Sequence, residues 1–201
     1  MTDKVLKYRH RAGWFILLAA FLWGAGIETA SANESPRRAE EYDVKAAFLF
    51  NVLKFVDWPN ETGKETMVIT VVNHPAFAGK VSNLEGKKVR GQRIRVEHMD
   101  SLPSTLDSSV VIVSELPEPD LLRLIEIANE KNILILSDRG EFTARGGMIG
   151  IPLENRRIQV IINPDAVKSA GLKVNSKLLR IARIVSATGT SRKAGGVEGG
   201  N

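Results

Sequence analysis

Apolar and polar residues along the chain change period several times, and each change marks an element. Across residues 40–56 the apolar positions Val44, Ala47, Phe48, Val52, Phe55 and Val56 recur at helical spacing, which predicts an amphipathic helix. Glu40 and Glu41 fall in its first turn, where the helix dipole favours acids. Asp57-Trp58-Pro59 closes it, because the residue before a proline is pushed out of the helical region. Thr66–Val72 (TMVITVV) is continuously apolar and β-branched, the pattern of a strand buried on both faces. Pro75 suits the first position of a short helix running to about Leu84, with Asn73 or His74 as its cap. Residues 92–98 alternate, Ile94 and Val96 against Arg93, Arg95 and Glu97, which predicts a half-exposed edge strand.

Two more short apolar runs, Val110–Val113 and residues 133–136, read as buried strands. Between them lies a helix over 119–130, with Leu121, Leu122, Leu124, Ile125 and Ala128 on its apolar face. Asp138 and Glu141 have the spacing of a capping box for a single helical turn, which Gly146-Gly147 ends. Residues 148–153 and 158–162 flank Glu154-Asn155-Arg156-Arg157 as an antiparallel hairpin. Asn163-Pro164-Asp165 caps a helix that Gly171 stops. Ser176 caps a last helix, with Leu178, Ile181, Ala182 and Val185 on one face and a basic strip of Lys177, Arg180 and Arg183 on the other. Strands alternating with helices predict an α/β, three-layer fold: a central mixed sheet flanked by helices, closing on a C-terminal hairpin and helix. The domain covers 40–187, and 188–201, rich in Gly, Ser and Thr, reads as a disordered tail.

The start of the chain has a different pattern. Lys4, Lys7, Arg9 and Arg11 precede an apolar run over residues 14–26, and Ala30-Ser31-Ala32 follows. A run of about 13 residues flanked in this way is a secretory signal peptide, residues 1–32, with cleavage after Ala32. It falls short of the roughly 20 residues of a membrane span. Removing 32 of 201 residues leaves 169, enough for one domain with its own core. It also removes four basic and two acidic side chains, so the net charge falls from +5 to +3. An exported chain has little access to nucleic acid, and its basic surface suits anionic partners or a membrane face. With no cysteine, stability rests on the core alone, and thiol catalysis, Cys-ligated zinc and thiol redox chemistry are excluded.

Candidate chemistry is sparse. His74 and His98 are the histidines beyond the signal peptide, and they lie on different elements. No HExxH pair, G-x-S-x-G elbow or Walker lysine motif is present, so no catalytic residue, metal site or cofactor is nominated. Gly146-Gly147 precedes a strand rather than a helix, which fits a turn with positive φ and not a phosphate loop. One constellation remains. In open α/β sheets, ligands settle beyond the carboxyl ends of parallel strands. Three buried strands end in Asn73-His74, Ser114-Glu115 and Ser137-Asp138, and Arg145 can reach the same edge from the following turn. Either these residues line a polar crevice, or each pair caps the next helix or turn. Phe55, Trp58 and the basic strip are the candidate partner contacts.

Residues 41–59, EYDVKAAFLFNVLKFVDWP, resemble the opening of the YfiR family. The segments S-D, G-G-M-I-G, I-N-x-x-A and S-K-L-L-R-I-A-R within 137–185 resemble its C-terminal half, the last matching the family's S-x-L-L-x-L-A-R with Ile181 in place of Leu. The likeness covers 40–185, in pattern more than in motif between 64 and 116. It implies a periplasmic protein without enzymatic activity that binds the periplasmic portion of an inner-membrane diguanylate cyclase and holds cyclic di-GMP synthesis down. It also implies a homodimer, and an outer-membrane lipoprotein that sequesters the repressor. Some members carry redox-responsive cysteines; this chain has none. The alternative function is a periplasmic small-ligand sensor that uses the polar crevice.

Overall fold

Thr66–Val72, Val110–Val113 and Leu134–Ser137 are continuous apolar runs, and they form the parallel centre of a mixed sheet, buried almost throughout. The structure, a computed structural model, describes residues 36–59 and 61–186, and the backbone of 191–193. In chain order its elements are α1 (Pro36–Leu53), β1 (Val56–Asp57), β2 (Thr66–Val72), α2 (Pro75–Val81), a 3-10 turn (Ser82–Leu84), β3 (Lys88–Val89), β4 (Gln92–Met99), β5 (Val110–Val113), α3 (Glu118–Lys131), β6 (Leu134–Ser137) and α4 (Glu141–Ala144). There follow β7 (Ile149–Gly150), β8 (Leu153–Glu154), β9 (Arg157–Ile158), β10 (Ile161–Ile162), α5 (Pro164–Ser169), β11 (Lys173–Val174), α6 (Ser176–Ile181), β12 (Arg183–Val185) and β13 (Ser191–Lys193). The predicted signal peptide lies outside the described residues, as does most of the predicted tail; within that tail, β13 pairs with β12.

The main sheet runs β13-β12-β10-β7-β6-β5-β2-β4-β3. From β4 to β7 every pair is parallel; β3 and β10 join antiparallel at the two sides. From β2 the chain crosses through α2 to β4 on one side, and from β5 through α3 to β6 on the other. Crossovers of this kind are right-handed, so opposite directions put α2 and α3 on opposite faces, which makes the predicted three-layer α/β fold. The direction reverses between β2 and β5, and that reversal is where open sheets leave a crevice.

Local chemistry explains several boundaries. Asn163 accepts a hydrogen bond from Ala166 N and starts α5, and Gly171 at φ 70° ends its C-terminal turn. Asn155 and Arg156 both have positive φ, 50° and 62°, and make the two-residue turn between β8 and β9. Gly146 takes φ 98°, and a Cβ on Gly147 would run into the Phe142 ring. The first glycine serves backbone conformation and the second serves packing.

Four expectations are corrected. Helix α1 begins at Pro36 and ends at Leu53, and the next residues form β1, which pairs with Val174 and Lys173. Its buried face is Tyr42, Ala46, Leu49, Val52 and Leu53, whereas Val44 is 54% exposed. The last helix is capped by Asn175, which accepts from Lys177 N, and it stops at Ile181. Residues 183–185 instead form a strand beside β10, so Arg183 leaves the helical strip. Finally, β4 is not the outermost strand: Lys88 and Val89 pair along its first two residues.

Candidate functional site

A polar cavity of about 770 Å³ opens at the carboxyl ends of β2, β5 and β6. Each parallel strand delivers one residue to it: His74 after β2, Ser114 after β5 and Asp138 after β6. The register aligns these ends, with Val72 opposite Val113 and Val113 opposite Ser137. The wall over this edge is α1, which contributes Arg38, Glu41, Tyr42 and Lys45. Pro152 and strand β8, with Leu153 and Glu154, form the far side.

The floor is a buried charged cluster. Lys45 is 2% exposed, and its Nζ lies 2.6 Å from Glu41 Oε1 and 3.5 Å from Asp138 Oδ2. On the other side of Asp138, His74 Nε2 lies 3.2 Å from the same Oδ2. The Tyr42 ring meets the His74 imidazole edge-on at 5.2 Å and stacks on Phe77 at 5.5 Å, which fixes the imidazole against the carboxylate. Burial alone would push the Asp138 carboxyl up. The His74 imidazole 3.2 Å away, the charge of Lys45 and the Ser114 side chain more than offset it, and hold Asp138 below the usual aspartate range. Asp138 is therefore ionised. Two atoms of this cluster remain unsatisfied. His74 Nε2 is close to Asp138 but out of line for a hydrogen bond, and Asp138 Oδ1 has no donor.

The sequence-derived residues divide on this geometry. His74, Ser114 and Asp138 line the crevice. His74 holds the predicted N-cap position of α2 ahead of Pro75 but makes no side-chain cap bond, and Asp138 caps nothing, since α4 is preceded by Gly140. The capping-box reading is corrected accordingly. Ser137 is buried beside them and takes the local role instead, donating to Ser114 O and accepting from Arg139 N. Asn73 is exposed with φ 48° and donates its backbone N–H to Met99 O, away from the cavity. Arg145 does not reach the crevice. It donates to Leu116 O and pairs with Glu118, lining a smaller neighbouring recess of about 50 Å³ together with Ser114 and Glu115. His98 stands apart, bonded to Ser82.

Sequence reasoning missed Glu41 and Lys45, and it put Arg183 on a helical contact strip rather than at the crevice. Lys45 sits three residues after Tyr42 and four before Leu49, on the buried stripe of α1. A lysine inside that stripe was the available signal. Arg183, on β12, makes a two-point ion pair with Glu154 at 3.0 and 3.2 Å across the crevice rim. Of the proposed contact residues, Trp58 is half-buried and donates its indole N–H to Ser109 O, and Phe55 packs partly on the core. Lys177 and Arg180 are exposed on α6, next to Ile181 at 67%.

The YfiR/HmsC-like family model matches residues 42–183, from Tyr42 on the crevice wall to Arg183 on its rim. The chain belongs to the YfiR/HmsC-like family. The match spans α1 through the start of β12, so it contains the crevice whole apart from Arg38 and Glu41. No curated protein matches the chain. This family is one of periplasmic, regulatory rather than catalytic domains. Among the described residues, no helix is long and apolar enough to cross a membrane, and no group of three His, Cys, Asp or Glu is placed to hold a metal ion.

Proposed function

We propose that this YfiR/HmsC-like chain is a periplasmic regulator that represses a membrane-bound diguanylate cyclase by protein–protein contact. It binds the cyclase's periplasmic sensor portion and keeps cyclic di-GMP low. The observation that carries this reading is the family match over residues 42–183. An outer-membrane lipoprotein that sequesters the chain, and a homodimer as the working unit, belong to the same reading. The exposed part of the predicted basic strip, Lys177 and Arg180 with the apolar Ile181 beside them, is the contact surface that best fits a partner, since an apolar centre with a cationic margin is how hot spots are built. The test is capture from solubilised inner membranes. Tagged wild-type chain should retain a membrane protein with a cyclase domain, and Ile181→Asp with Arg180→Glu should lose it. Recovery of no such protein would refute the reading.

A second reading supports the first. The polar crevice is the input site, and a small ligand there sets whether the chain holds its partner. The favouring observation is the cavity itself, within the roughly 300–1,000 Å³ typical of ligand pockets and lined by the buried His74 and Asp138. Because α1 forms the crevice wall and also carries the exposed Val44, a ligand that moves Lys45 would be felt on the outer surface of that helix.

A further inference from the structure

The basic charge of this chain is unevenly placed. From residue 166 to residue 197 there are seven lysines and arginines and no acid. The chain as a whole carries +5, so everything outside that stretch nets −2. Within the stretch, Arg183 is held by Glu154. Lys168 on α5, Lys173 on β11, and Lys177 and Arg180 on α6 are exposed, and none of them has an ion pair among the described residues. Short connections keep the four in one region: β11 follows α5 after the turn at Gly171, and α6 begins two residues after Val174. The acids beside them are engaged. Asp57, opposite Lys173 in the β1–β11 pair, is held by Arg90 at 2.7 Å, and Asp165 accepts from the Ser186 hydroxyl.

Lys177 and Arg180 belong to the contact surface proposed above, but Lys168 and Lys173 lie outside it, so the basic field is wider than that contact. Its chemistry selects the occupant. A protein contact fixes its register with matched charges at defined positions, whereas a field of one sign suits a surface that is itself of one sign. Three of the four cations are lysines. A lysine carries a point charge on a flexible stem to wherever an anion lies, while a fixed carboxylate is matched best by the planar fork of arginine. Clusters of about four to eight lysines and arginines are drawn in this way to anionic phospholipid headgroups. We infer that the face carrying Lys168, Lys173, Lys177 and Arg180 docks on a membrane surface rich in anionic phospholipid. The inference goes beyond the partner reading and does not rest on it.

The experiment is cosedimentation of the chain, purified from the periplasm, with vesicles of phosphatidylglycerol or of phosphatidylcholine. The chain should sediment with the anionic vesicles and not with the neutral ones. Binding should fall as salt is raised, because exposed charges are screened beyond about 10 Å at 0.1 M. Lys168→Gln with Lys173→Gln, which leaves Lys177, Arg180 and Ile181 in place, should weaken binding by on the order of tenfold or more. Arg93→Gln with Arg95→Gln removes the same charge from β4, six places from β12 in the sheet order, and should change binding far less. Should a variant fail to fold, the lipid and salt series on the wild-type chain decides by itself. Equal binding to both kinds of vesicle, no binding to the anionic ones, or full affinity in the folded lysine variant would each overturn the inference. Retention on immobilised polyglutamate without retention by vesicles would overturn it too, and would give the face to an acidic protein. The vesicles hold no protein, so this inference and the capture of a cyclase fail separately.

Discussion

His74 Nε2 lies 3.2 Å from Asp138 Oδ2 across the reversal point of the sheet, with both side chains buried and both residues lining the crevice. The two residues follow different parallel strands, β2 and β6, and Lys45 of α1 closes the cluster from above. A helix is thus held to the sheet edge by charge at the position where a ligand would enter.

The acid stability of the chain should carry the signature of Asp138. Its folded pKa lies below the ordinary value of about 3.9, so the group stabilises the fold above that value and loses its contribution as pH falls through the folded one. Urea unfolding of wild type and Asp138→Asn should differ by about 1–3 kcal/mol at neutral pH. The gap should stay constant down to about pH 5 and shrink below about pH 4. A gap that grows as pH falls would reverse the assigned sign.

Lys45→Met removes the shared cation from a site that is 2% exposed while keeping most of the side-chain volume. The buried Asp138 and the half-buried Glu41 then lose a counter-charge, at a cost of roughly 3 kcal/mol in unfolding free energy. Adding Asp138→Asn should recover part of that loss, because the double variant no longer buries the Asp138 charge. Coupling of at least about 1 kcal/mol in the cycle is expected, and strict additivity would mean the pair does not interact.

Gly147→Ala should destabilise by about 1–3 kcal/mol through overpacking, since its Cβ would meet the Phe142 ring. Phe142→Leu in the same chain should relieve a good part of this. Thermal melting of the three variants checks it.

The ion pair between Glu154 and Arg183 is more than a third exposed on both sides, so its loss in Glu154→Gln should change stability by no more than about 1 kcal/mol. Its effect should instead fall on whatever enters the crevice, whose rim it forms. A melting point close to wild type is the expected result in a thermal unfolding scan.

The central strands were legible because burial on both faces leaves a continuous β-branched run, as in Thr66–Val72, whose limits agree with the sequence reading. The C-terminal helix was not legible over its full length. Leu178, Ile181, Ala182 and Val185 do recur at helical spacing, but residues 183–185 gain strand pairing with Ile161 and Ile162, and tertiary contacts override local propensity. The face of α1 was misplaced by about one position for a related reason. Choosing apolar residues alone selects Val44, which is exposed, and passes over Lys45, which is buried by its pairing with Glu41 and Asp138. Strand ends gave the location of the crevice. They did not separate His74 and Asp138, which face it, from Asn73, whose left-handed backbone turns away.

The most direct test of the regulatory account is the cellular level of cyclic di-GMP in a strain lacking this chain. Repression by contact predicts that the level rises on deletion and returns when the wild-type chain is restored to the periplasm. An unchanged level in the deletion strain would contradict it.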